Sequence, residues 1–120
     1  MSTKPLKESE IKFTIKLDEN NVPESIEWEA EDNGETTRKP SKAFMTSIWD
    51  SEEKTTMRID LWTKDMHMDE MKIFFHQSLV SMADTFERAT GEKAITGDLR
   101  DYCMHFAEKM KIVEQSQEGS

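Results

Sequence analysis

The sequence has one cysteine, three prolines, four glycines and a single tyrosine. It has no apolar run near the roughly 18 residues that a membrane-spanning helix needs. Each shortage excludes something. A lone cysteine, Cys103, cannot close an internal disulfide, so the fold is not stapled by one. The few glycines form no phosphate cradle. NGETT holds one glycine and no following Lys-Ser/Thr pair, and ATGEKAITG lacks the spacing of a nucleotide fingerprint. Positive charge is also scarce: the formal net charge is −9. Residues 1–60 carry 9 Lys and Arg against 14 Asp and Glu, and residues 61–120 carry 7 against 11. Neither half offers the basic surface that nucleic acid or an anionic membrane attracts. The N-terminal MSTKPLKESE lacks the apolar core of a secretory signal. The expectation is a soluble cytoplasmic protein with no nucleic-acid partner and no direct membrane insertion.

What is present is ordered. Only 35% of the chain is hydrophobic and 34% is charged, but the apolar residues fall into periodic blocks, which keeps the chain in the globular class. Its length suits one domain, expected over residues 10–113 with flexible tails at 1–9 and 114–120. In IKFTIKL, Ile11, Phe13, Ile15 and Leu17 alternate with Lys12, Thr14 and Lys16, the period of a half-buried strand. DENNVPE supplies turn residues, and SIEWEAE alternates again, with Ile26, Trp28 and Ala30 opposed to Glu27, Glu29 and Glu31. The pair reads as a hairpin whose wet face sets lysines of one strand near glutamates of the next.

DNGETTRKP reads as a charged loop. Ser41 then reads as an N-cap, with Phe44, Met45, Ile48 and Trp49 at helical spacing in a short helix ending near Asp50. TMRIDLWT alternates as a third strand. A long helix is expected from about Asp69 to Thr90, its stripe running from Met71 through Phe75, Met82 and Phe86 and closed by Gly91. A last helix is expected from near Asp98, with apolar positions Leu99, Tyr102, Cys103, Phe106, Met110 and Val113. The order β-β-α-β-α-α implies an α+β fold: a small, mainly antiparallel sheet with helices packed on one face.

The densest cluster of ionisable residues is WTKDMHMDEMKIFFHQ. A helical metal pair needs ligands about one turn apart. Lys72 and Val80 stand four residues either side of His76, and neither ligates. Asp69 shares a face with His76, but seven residues of helical rise put them about 10 Å apart. The acids at 65, 69 and 70 fit the preference for negative charge at a helix N-terminus. A metal-binding protein or metal-dependent hydrolase using His67, Asp69, His76 and His105 requires the last helix to fold back onto this site. Cys103 lies on the apolar stripe, as a buried inert thiol would. No catalytic, cofactor-binding or metal residue is assigned, and no cofactor. A small-ligand carrier with a pocket between sheet and long helix is a weaker alternative.

One feature points to binding. Trp62 shares a strand side with Arg58 and Asp60, away from Met57, Ile59 and Leu61, and Trp and Arg are favoured interface anchors. The open sheet face near Lys12, Lys16, Arg58, Asp60 and Trp62 is therefore the expected partner surface, set against a reading in which Trp62 curls round the core edge. Homodimerisation through the long or last helix stays open.

The runs RIDLWTKDM, DEMKIFFHQSLVSMADTFERAT, EIKFTIKLDEN and VPESIEWEA resemble the gliding-motility protein GldC family of Bacteroidetes, from about Glu10 to Ile112. The resemblance implies a non-enzymatic accessory protein of bacterial gliding, a process tied to type IX secretion, with a protein partner in that machinery. It brings no catalytic residue and no cofactor.

Overall fold

The computed structural model of the protein describes residues 6–32 and 34–112. It is α+β, with five antiparallel strands followed by two helices: β1 (Ile11–Leu17), β2 (Pro23–Asp32), β3 (Glu35–Ser41), β4 (Ala43–Asp50), β5 (Thr55–Trp62), α1 (Met68–Thr90) and α2 (Lys93–Met110). The chain divides into two compact units, residues 1–66 and 67–120. Residues 1–5 and 113–120, which include most of the expected tails and Val113 of the last stripe, lie outside the described residues.

In the first unit the strands form two sheets, β1-β2-β3 and β4-β5, where one was expected. Register in the larger sheet follows the alternation. Ile11, Phe13 and Ile15 lie opposite Ala30, Trp28 and Ile26, while Lys12 lies opposite Glu29. Apolar side chains thus share one face, and the expected Lys–Glu juxtaposition occupies the other. On that polar face Arg38 of β3 reaches both Glu27 and Glu29 at 3.3 Å. Ile26, only 1% exposed, is the best-buried apolar side chain of this unit.

Two segments differ from expectation. Residues 35–41, read as loop, form β3. ETTRKPS has no apolar residue to show a period, and it is a strand because β2 supplies its partners, from Asp32↔Glu35 to Ile26↔Ser41. Pro40 is tolerated at the sheet's edge, where a missing N–H breaks no ladder. Residues 43–50, read as a helix, form β4. Apolar residues at 44, 45, 48 and 49 satisfy a helical stripe, but they equally populate both faces of a strand, with Phe44 and Ile48 on one side and Met45 and Trp49 on the other. The β-branched and aromatic content favours the strand, and pairing with β5 from Ala43↔Trp62 to Asp50↔Thr55 secures it. Ser41 is therefore no helix cap. It sits where the chain passes from one sheet to the next, its hydroxyl donating to the Ala43 carbonyl at 2.7 Å. Thr63 N–H donates to the Lys42 carbonyl at 2.8 Å, carrying the β4–β5 ladder past this corner. The two apolar faces meet at a Phe13–Phe44 stack, with centroids 4.4 Å apart.

Asp18 anchors the first hairpin. Its Oδ1 accepts from the N–H groups of Asn20 at 2.7 Å and Val22 at 3.0 Å, closing a turn in which Asn21 takes φ 62°. The other oxygen pairs with Lys64, just past β5. The Lys64 hydrogen bond, helped by the Val22 N–H, pulls the Asp18 carboxyl down to about 2. The same bond raises the Lys64 ammonium above its ordinary value.

The second unit is a helical hairpin. His67 is the N-cap of α1, and its N–H donates to the Glu70 carboxylate at 3.0 Å. Asp69 and Glu70 sit in the first turn, where the helix dipole favours them. Gly91, at φ 74°, ends the helix in the left-handed conformation, its N–H donating to the Glu87 carbonyl. α2 starts at Lys93, five residues before the expected Asp98. The extra turn takes in Thr96 and Gly97, where the Thr96 hydroxyl bonds back to the Glu92 carbonyl at 2.6 Å and the helix runs through. Ala83, Thr96 and Cys103 are the buried side chains of the hairpin. All three are small, which lets α1 and α2 approach closely. Arg100 of α2 clasps Glu87 at 2.7 Å and Asp84 at 2.9 Å on α1.

Two outcomes follow. A Cβ at Gly97 meets nothing within 4 Å, so Gly97→Ala raises stability by about 0.5–1 kcal/mol in urea unfolding, the helix-interior cost of glycine. Asp18 is depressed in the folded state, so its contribution is complete above pH ~4 and is lost as pH falls through about 2. The Lys64 contribution is complete below its ordinary value and is lost only at higher, alkaline pH. The urea midpoint therefore falls more steeply between pH 4 and 2 in the native chain than in Asp18→Asn.

Candidate interaction surface

The structure sorts the expected partner residues onto two sheets. Lys12 and Lys16 project from the polar face of β1-β2-β3, while Arg58, Asp60 and Trp62 project from one face of β4-β5. Lys12 is 3.7 Å from Glu10, the residue just before its strand. Lys16 stands at the rim of an open cavity of about 610 Å³ in the first unit, whose other polar lining includes Glu24, Glu27, Lys42, Thr63 and Asp65. Lysines and carboxylates mix there, so the cavity selects no ligand charge.

The face of β4-β5 is better defined. β4 contributes Ala43, Met45, Ser47 and Trp49, and β5 contributes Thr56, Arg58, Asp60 and Trp62. Trp62 is 54% exposed and Trp49 is 63% exposed. Trp62 lies opposite Ala43 and Trp49 opposite Thr56, so the indoles stand at opposite ends of the face, about 20 Å apart at the rise of a strand. Arg58 occupies the middle. Its guanidinium donates to both Asp60 oxygens, at 2.8 and 3.2 Å, and to the Ser47 hydroxyl. This forked geometry is the strong form of the pair. It leaves the centre of the face polar but internally satisfied, flanked by two large apolar surfaces open to water.

Trp49 is absent from the sequence-derived surface because a helix over 41–50 sends it elsewhere. Strand alternation through AFMTSIWD, with Thr46 and Ile48 as β-branched residues, is the signal that finds it.

The ionisable residues weighed for a metal site lie apart. His67 caps α1, His76 stacks on Phe106 with centroids 6.1 Å apart, and His105 tilts against Tyr102 at 5.8 Å. Among the described residues, no three His, Cys, Asp or Glu side chains come close enough to share an ion. Cys103 is 3% exposed, and burial pushes its thiol above the ordinary range despite the opposing charge of Arg100.

A family model described as gliding motility-associated protein GldC-like matches residues 23–112. The chain belongs to this GldC-like family. The matched span takes in β2 to β5 and both helices, so the tryptophan-bearing face lies within the GldC-like region. Comparison with curated proteins and with solved structures found no match. Among the described residues, no helix is long and apolar enough to cross a membrane.

A buried, un-ionised thiol is a poor nucleophile. Cys103 therefore reacts with a colorimetric thiol reagent at pH 8 at least about tenfold more slowly in the folded chain than in denaturant, as stopped absorbance traces would show.

Proposed function

We propose that this gliding motility-associated chain is a non-enzymatic accessory protein. It acts from the cytoplasm by binding a protein of the gliding and type IX secretion machinery. The observation that carries this reading is the β4-β5 face, where Trp49 and Trp62 flank the Arg58–Asp60 pair. Binding energy at protein interfaces concentrates in Trp, Tyr and Arg. A charge pair already satisfied within its own strand costs less to cover than two groups that must find partners during docking. Membership of the GldC-like family supports the process, and the acidic net charge supports a protein rather than a nucleic-acid partner. Lys12 and Lys16 belong to the other sheet, and they are a secondary part of this reading.

The test is genetic and biochemical together. Trp49→Ala and Trp62→Ala each weaken capture of the cellular partner by about 2 kcal/mol, close to thirtyfold, and the double variant loses gliding while keeping its native circular dichroism and thermal midpoint. A folded double variant that glides and captures as well as the parent overturns the proposal.

A further inference from the structure

The two long edges of the three-stranded sheet are not alike. β3 defends itself: its sequence is polar throughout, Pro40 withholds an N–H, and Lys39, paired with Trp28, projects from the apolar face. Inward charges and prolines on edges are the usual deterrents to a further strand. β1 has neither. Every residue on its apolar side is apolar, and Ile11 and Leu17 are 68% and 51% exposed. Among the described residues β1 pairs only with β2.

Its open hydrogen-bonding groups can be located. Glu31 N–H donates to the Glu10 carbonyl at 3.4 Å, so these two form a hydrogen-bonded pair. By alternation Lys12, Thr14 and Lys16 also direct their backbone groups toward β2. The N–H and C=O groups of Ile11, Phe13 and Ile15 therefore point outward, along the free edge.

We propose that a second copy of this chain pairs antiparallel along β1, joining the two three-stranded sheets into one across a two-fold axis at Phe13. The register follows from side-chain chemistry and strand extent: centring on Ile11 runs the ladder off the start of β1, and centring on Ile15 runs it into the irregularity between Lys16 and Leu17. Outward groups must meet outward groups, so only registers that keep apolar opposite apolar can form a ladder. Centring on Thr14 sets Lys12 against Lys16 of the other copy, and centring on Lys12 sets that lysine against itself. Like charges directly opposite are unfavourable. Centring on Phe13 sets Ile11 against Ile15, Lys12 against Thr14, and Glu10 against Lys16, each twice by symmetry. The strand is self-complementary in that register. In the two-stranded sheet, β5 competes less well: it lies against β2, and its charge pair, Arg58 with Asp60, is already closed within the strand.

The test is the mass of the full chain in solution by light scattering or sedimentation, at low salt, because exposed pairs are screened. The parent shows twice the 14.0 kDa chain mass. Glu10→Lys and Lys16→Glu each replace two opposite-charge pairs by like-charge pairs and raise the dimer Kd at least about tenfold. The combined E10K/K16E variant restores it. Both positions are exposed, so the variants fold, as a thermal melt verifies. A mass of 14.0 kDa at every concentration, a dimer indifferent to the single reversals, or a combined variant that stays weak overturns the proposal. The readout is independent of the tryptophan variants, so either reading can fail without the other.

Discussion

Strand β4 has to satisfy β5 on one edge while carrying apolar side chains on both faces. Its pairing from Ala43↔Trp62 to Asp50↔Thr55 decides which face each of those side chains takes. Phe44 and Ile48 go to the side shared with Met57, Ile59 and Leu61, where Phe44 stacks on Phe13 of the other sheet. Met45 and Trp49 are left on the side of Trp62. A slip of one residue exchanges the two sets: the stack between the sheets is lost, and the tryptophans no longer share a surface. The binding reading thus rests on the same ladder that joins the first unit together.

Electrostatics supports that ladder at its ends. The Asp18 carboxylate accepts two backbone N–H groups of its own turn and pairs with Lys64 beyond β5, so the first hairpin and the last strand are tied by one side chain. At the corner between the sheets, Ser41 closes a local bond to Ala43 and Lys42 receives the Thr63 N–H. In the helical unit, Arg100 plays a comparable part between α1 and α2. These ties are mostly exposed and individually weak.

Period alone shows β1, β2, β5 and α1, because each carries a single apolar stripe: Ile11-Phe13-Ile15 along β1, Met71 to Phe86 along α1. It failed where the stripe was missing or doubled. β3 has no apolar residue and exists only through its partner strand. β4 has two apolar faces, and two faces at period two imitate one face at period 3.6. α2 begins five residues ahead of Asp98, through Thr96, whose hydroxyl is satisfied within the helix, and Gly97, both outside the apolar stripe that starts at Leu99. The same limits governed the surface. Strand alternation shows Trp62, Arg58 and Asp60, a helical reading of 41–50 hides Trp49, and Lys12 and Lys16 join them only in a single sheet, whereas the structure has two.

The asymmetry between the polar, proline-bearing β3 and the apolar β1 also bears on how the chain behaves when concentrated. If strand addition to this sheet is confined to one side, a second molecule uses up the sticky border and meets only guarded borders beyond. Growth then terminates at a small, discrete species, and this sheet does not template the open-ended stacking that leads to fibrils.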